Sequence, residues 1–371
     1  MHRAITAALA ALLAAPLLAA CSTSGQADAA AAACPSAPIV AWSSEDAAPS
    51  RFVAQVQDTE AVVATAKIKG LYPGQVNGQR VGDHVFMLSV GDVRKDQAHV
   101  VDFSLTDCTA TPIRLAGVVN PLSLVADGAS FYTTYVLNGV AHITRSDRQG
   151  KALAERQLPG QVVTTLALQR SGDGSPARLF GITQPAPGQA TSRLITLDAE
   201  TLTVVSEQPL PGGEFVTGSP IVHGGRLIYP LTATHEGDRP GHELVVLDPA
   251  TMSERRIYLG ANTPYLLTME GDTLYVGHTF INPAYGAIDG LRHISRVDLA
   301  TSAVTGYDLD AGILGFTVRG GRLALVGDDG GDPNTFVLQT YDAATGARLT
   351  SSTLTRPGGD DFCYPAGVLV P

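Results

Sequence analysis

Lysine is scarce in this chain. Only Lys67, Lys69, Lys95 and Lys151 occur among 371 residues, and the formal net charge is −10. No basic run exists, which argues against recognition of nucleic acid or of an anionic surface through a positive patch. Tryptophan occurs once, at Trp42, and cysteine four times. No Gly-x-Ser-x-Gly elbow, phosphate-cradling glycine loop or Cys-x-x-Cys pair is present. Hydrolase, nucleotide-binding and dithiol readings therefore have no motif to rest on. The one long apolar run, Ala4 to Leu17, is short for a bilayer span.

What is present is short and alternating. Hydrophobic residues make up 44% of the chain and charged ones 16%, with 39 glycines and 23 prolines. The apolar residues are mostly Val, Leu and Ile, mixed with Thr in runs between Gly-rich turns, which argues an all-β fold. One stretch recurs: Arg296-Val297-Asp298-Leu299-Ala300-Thr301 has counterparts at Val246–Thr251, Thr196–Thr201 and Thr340–Gly346. Weaker copies centre on Asp58, Asp102 and Asp147, so seven aspartates follow one another at 44 to 51 residues. That period fits a four-stranded propeller blade. Asp accepts a hydrogen bond from a backbone N–H two residues on, so Asp-x-x-Thr reads as the turn between third and fourth strands (C and D). Gly346 supplies the positive φ of the turn.

Blades four to six are the most legible. In the fifth, the spacing predicts strands A to D at Thr263–Met269, Thr273–His278, His293–Asp298 and Ala303–Leu309. In the sixth they fall at Leu314–Arg319, Arg322–Gly327, Thr335–Tyr341 and Arg348–Leu354. In the fourth, Phe215–Val222 is strand A. Blades one to three begin near Tyr72, Asn120 and Thr164. An orphan strand at Phe362–Val370 and three more at Ile39–Ser43, Arg51–Gln57 and Ala61–Ile68 make a seventh blade, closed by both termini. Pairing them removes an exposed sheet edge. The fold class expected is thus an all-β, seven-bladed β-propeller with four antiparallel strands per blade.

The Asp-x-x-Thr-Gly turn, complete only at Asp342 to Gly346, resembles turns of the pyrroloquinoline-quinone-type and YVTN (YncE-like) propeller repeats. The likeness implies the fold. The docking tryptophans and vicinal cysteine pair of quinoprotein dehydrogenases have no counterpart here, so it lends little to a quinone cofactor.

The N-terminus reads as a targeting segment. After His2-Arg3 and the apolar run comes Leu18-Ala19-Ala20-Cys21, which resembles the lipobox of bacterial lipoproteins. The resemblance implies removal of residues 1–20, acylation of Cys21 and anchoring on the extracytoplasmic face of a cell membrane. Residues 21–35 form a lipidated tether and 36–371 a single propeller domain. An exported compartment permits disulfides. Cys34 precedes strand B of blade seven and Cys108 follows strand C of blade one, so both fall on the face of A–B and C–D turns. Cys34–Cys108 with Cys363 free is the expected pairing, and Cys34–Cys363 the alternative.

Three constellations are candidates for function. The residues opening the innermost strands, Tyr72, Asn120, Thr164, Thr217, Thr263 and Tyr364, would ring a channel mouth and contact a ligand; the alternative is tight packing at a crowded axis. His235, His242, His278 and His293 lie on adjoining B–C connections and are weak candidates for a transition metal. Asp328, Asp329 and Asp332 with two glycines suggest Ca²⁺ or an acidic turn. No catalytic residue and no cofactor is called for. The expected function is a lipid-anchored binding or scaffold protein for an envelope protein, glycan or small ligand. The alternative is an extracytoplasmic enzyme, either a pyrroloquinoline-quinone oxidoreductase or a metal-assisted lactonase or lyase.

Overall fold

The computed structural model describes residues 34–44, 52–56, 61–68, 78–89, 98–170, 172, 176–184, 192–211, 218, 220–233, 240–278, 292–328, 335–357 and 363–371. Among them are twenty-eight strands, from β1 (Ile39–Ser44) to β28 (Cys363–Leu369). They form seven four-stranded antiparallel sheets. Six sheets each use four consecutive strands. In the seventh the order is β28, β1, β2 (Phe52–Val56) and β3 (Val62–Ala66), so the C-terminal strand pairs with the N-terminal one. This is the seven-bladed β-propeller that the repeat predicts.

Burial explains why each strand has its composition. Second strands lie between two neighbouring blades and are apolar on both faces: β5 (His84–Ser89), β13 (Arg178–Gln184) and β25 (Arg322–Asp328) are buried nearly throughout. Fourth strands are edges and carry charge or proline instead, as in Glu254–Tyr258 with Arg255 and Arg256, and Ala110–Arg114 with Pro112. The core is split into seven wedges, one in each interface between blades. Edge-to-face aromatic pairs span several of them. Phe52 meets Phe103 with centroids 6.3 Å apart, Phe86 meets Phe131 at 5.2 Å, and Trp42 meets Phe336 at 6.0 Å.

The Asp turns close as expected in four blades. The N–H of the first residue donates to the carbonyl five positions on, from Asp198 to Thr203, Asp248 to Ser253, Asp298 to Ala303 and Asp342 to Ala347. The carboxylate accepts N–H groups two and three residues on, as when Asp298 Oδ1 takes Ala300 and Thr301 at 2.9 Å each. These bonds hold the carboxyls of Asp198, Asp248 and Asp298 below the usual range, the backbone N–H being the first cause; at Asp342 it is the Thr345 hydroxyl. The left-handed slot of the turn holds Leu202, Met252, Ser302 and Gly346. Glycine is needed only at 346, where a Cβ would come within 2.3 Å of the Tyr307 ring.

Asp147 marks a turn one residue shorter, its N–H donating to Lys151 O at 2.9 Å, and Asp102 does not mark a turn. In blade one the closing bond runs from Ser104 to Thr109, with Cys108 in the left-handed slot at φ 56°. Asp102 instead lies inside β6 (His99–Ser104), where it accepts from His84 Nδ1 at 2.7 Å and pairs with Arg148. In blade seven the turn begins at Val56, which donates to Ala61, and Asp58 lies outside the described residues. The backbone bond and the left-handed residue define the turn, and the Asp side chain is an optional brace.

The innermost strands of blades one, two and four also start later than the spacing suggests, at Gln79–Val81, Ser123–Ala126 and Ile221–His223. Asn120 has φ 43° and precedes Pro121, which has no N–H to pair, so blade two cannot begin at Asn120.

Ring closure is the most vulnerable contact. β28 pairs with β1 from Ile39↔Leu369 to Ser44↔Cys363 and buries Ala366, Val368 and Leu369. Removing these three side chains forfeits roughly 5 kcal/mol of burial and opens the edge of β1. Deletion of residues 363–371 is expected to lower the melting temperature by roughly 10 °C or to prevent folding. An unchanged melting temperature would show that the blade does not close the ring.

Candidate functional site

The innermost strands surround a central channel of about 820 Å³. Its two ends differ. The A–B and C–D connections fall at one end and are mostly short, the exception being residues 170–177 of blade three. The B–C and D–A connections fall at the other and include 69–77, 90–97, 234–239 and 279–291, which lie outside the described residues. Thr164, Gln184 and Tyr265 line the channel toward this long-connection end, and Arg80, Glu270 and Arg319 toward the short-turn end. Between them the wall mixes apolar and hydroxyl-bearing residues, such as Leu124, Thr268 and Thr317, while Leu166, Leu266 and Leu369 are buried behind it in the wedges.

Four inner strands carry the same irregularity. A bulge inserts Thr164 in Val162–Gln169, Tyr265 in Pro264–Glu270, Leu314 in Gly312–Arg319, and Ala366 in β28. A bulge bends its strand and frees polar groups of the ladder for other partners. The previous blade takes them up: Thr134 Oγ1 donates to Val163 O at 2.9 Å, and Thr232 Oγ1 donates to Pro264 O at 2.8 Å.

The bulges set the true equivalences among the predicted mouth residues. Thr164 occupies a bulge and lines the channel, whereas Thr263 and Tyr364 stand two positions before one. Thr263 is 1% exposed with φ 50°, and its N–H donates to Gly241 O at 2.8 Å. It braces the link between blades four and five. Asn120 is exposed in the corresponding link between blades one and two, outside the channel lining. Tyr72, Thr217 and the Tyr364 side chain lie outside the described residues. Tyr265 is the channel residue that the sequence reading missed, and burial pushes its hydroxyl up to about 12. Its signal was the bulge two residues after a left-handed Thr, which only strand pairing reveals.

The candidate metal histidines divide in the same way. His278 and His293 are opposite one another on paired strands, with ring centroids 5.2 Å apart. His278 is fully buried. Its Nδ1–H donates to Asn262 O at 2.7 Å, so Nε2 accepts from Ser295 Oγ at 2.8 Å. Both ring nitrogens are engaged within the core. His293 Nδ1 donates to Asp308 Oδ1 at 2.7 Å. His242 is exposed, set edge-on to Tyr258, and His235 lies outside the described residues. Among the described residues, no three His, Cys, Asp or Glu side chains are grouped to hold a metal ion. Asp328 is at the end of β25, while Asp329 and Asp332 lie outside the described residues.

Cys34 and Cys108 are joined by a disulfide, with Cα atoms 5.0 Å apart. The Cys34 N–H also donates to Thr106 O at 3.0 Å. The bond holds the segment before β1 against the C–D turn of blade one, on the short-turn face.

No protein-family model matches the chain, and no curated protein matches it in sequence. Solved structures do match in fold. The Pan2 WD40 domain of Neurospora crassa is similar at a TM-score of 0.54 and 11% identity, over 77% of this chain and 80% of that one. Apo AztD from Citrobacter koseri gives 0.51 and 12%, over 90% and 98%. Cobalt-substituted ACO from Synechocystis gives 0.53 and 13%, over 90% and 92%. At these identities the likeness is one of fold, and the neighbours have diverse roles.

Desolvation lowers the pKa of His278 to about 4, from an ordinary value of 6.5. A depressed folded value means that the stabilisation is whole above 6.5 and is lost as pH falls toward 4, because only the unfolded chain gains the proton. The loss should amount to roughly 3 kcal/mol. Urea unfolding at pH 7.5 and pH 4.5 is expected to show it in the parent, with a smaller pH difference in His278→Gln. An equal pH difference in both proteins would place the titration elsewhere.

Proposed function

We propose that this chain is a lipid-anchored, extracytoplasmic β-propeller that binds a protein, glycan or small ligand and performs no chemistry of its own. The observation that carries the reading is the Cys34–Cys108 disulfide, since such bonds persist in oxidising compartments outside the cytoplasm. It agrees with the lipobox-like Leu18-Ala19-Ala20-Cys21, only thirteen residues before Cys34. Cys34, where the proposed tether meets the propeller, is on the short-turn face. The opposite face, with its long connections and the Thr164 end of the channel, is left for a partner. Two acyl chains provide stable anchoring where one is marginal.

Cys21→Ser is expected to shift the protein from the membrane fraction to the soluble fraction of native cells. Intact mass should find acyl groups on Cys21 of the parent. An unmodified N-terminus elsewhere would end the anchored reading. Pull-down from native envelope with the anchored protein should recover a recurrent partner. Stoichiometric transition metal or a quinone absorbance band in the purified protein would favour the enzyme alternative instead.

The disulfide has its own test. It spans 74 residues, and closing a loop of that size in the unfolded chain is worth about 4 kcal/mol on entropy grounds. Cys108→Ser is therefore expected to lower stability by up to that amount. Non-reducing peptide mapping of exported protein should recover the Cys34–Cys108 peptide pair. A Cys34–Cys363 pair, or three free thiols, would overturn both the bond and the compartment.

A further inference from the structure

We infer that the short-turn mouth of the channel is a binding site for an oxyanion, a carboxylate or phosphate group on a ligand whose apolar part lies in the channel. The inference stands apart from the anchored reading and uses the end of the channel opposite to the predicted mouth residues. Two guanidinium groups meet there at one neutral acceptor. Arg80 Nη1 donates to Val370 O at 3.0 Å, and Arg319 Nη1 donates to the same oxygen at 3.3 Å. Arg80 comes from blade one and Arg319 from blade six, so they flank blade seven from either side. A carbonyl oxygen carries only a partial charge and offsets the repulsion between two full cations only in part.

Among the described residues, no side-chain carboxylate makes a close ion pair with either guanidinium, although Glu270 brings a negative charge to the same mouth. Asp83 comes only to 3.9 Å of Arg80 and is 73% exposed. Glu270 directs both oxygens at the Gly321 N–H, at 3.3 and 3.1 Å. Arg319 has no carboxylate partner among the described residues. Arg80 is held in place by a second bond, from Nε to Gly82 O at 3.0 Å. The site is thus preorganised, with guanidinium donors to spare in a geometry that suits carboxylate and phosphate. Both arginines belong to the channel lining, and a wall of mixed character, with Leu124, Thr268, Met269 and Thr317, continues inward from them. An anion bearing an apolar body satisfies both regions at once.

Such an anion can be a soluble small molecule or the headgroup of a lipid. The test uses the full-length Cys21→Ser chain, so that no acyl anchor contributes. Calorimetric titration is carried out with inorganic phosphate and with 4-phenylbutyrate, and co-sedimentation with vesicles of phosphatidylglycerol or of phosphatidylcholine. At least one anionic probe is expected to bind saturably, with affinity falling at least tenfold in Arg80→Gln and in Arg319→Gln and further in the double variant. Phenylbutyrate binding without vesicle binding identifies a soluble ligand. Selective retention on phosphatidylglycerol identifies a headgroup. Absence of saturable binding to all anionic probes, or binding unchanged in a double variant that melts with the parent, would overturn the site. Failure here leaves the anchored reading intact, because Cys21 acylation is measured separately.

Discussion

Everything in this fold depends on the hydrogen-bonded pairing of β28 with β1. Each blade buries its two faces only against its neighbours, so an array that failed to close would leave two wedge interfaces open to water. The seven hydrophobic wedges are separate, with no common centre. The channel runs where a globular domain would have its core. The first and last strands of the described chain are therefore structural necessities, and the fold is complete only when residues over 300 positions apart in sequence are joined. The cost is loop-closure entropy, which grows slowly with length and is offset by the burial of a whole blade.

That closure also explains the contrast between the two faces. Short turns are free to differ in sequence because the backbone defines them. The Asp turns of blades three to six are braced by side-chain bonds, whereas blade one makes the same turn from Ser104, and in blade seven the closing bond runs from Val56 to Ala61. The inner strands obey a different rule. Their bulges repeat in four blades, and in two of them a carbonyl beside the bulge accepts a hydroxyl of the preceding blade, from Thr134 and Thr232. These rules leave polar groups such as Thr164 and Arg80 facing the channel.

Most of the fold was legible in the sequence. In blade five, Thr273–His278 and His293–Asp298 were found to the residue, since hydrophobic runs end at unambiguous turns there. Asp102 was misread because an Asp beside a hydrophobic run looks the same in a strand as in a turn; what separates them is Arg148, 46 residues away. The channel was less legible for a related reason. Thr263 looks like the first residue of a strand, yet its positive φ turns it into the link between blades, and Tyr265 faces the channel in its place. Polar character at the start of a strand marks a link as readily as a site. Arg80 and Arg319 carry no motif at all; they are 239 positions apart and are brought together by ring closure alone.

The left-handed slot of the C–D turn has a consequence for how the chain can be cut and rejoined. Cys108 occupies in blade one the slot that Ser302 occupies in blade five, at φ 56° and 62°. The natural opening lies between the first and second strands of blade seven, and its clip reaches forward to the next blade. A circular permutant opened between Ile221–His223 and Arg226–Ala233 of blade four would meet Ser302 in the same relation. The natural termini would be fused across blade seven, and a cysteine at 302 would receive one placed before Arg226. The entry point of the chain is then a transferable part: any blade that offers this slot can host the ends of the polypeptide, and with them whatever the N-terminus is attached to.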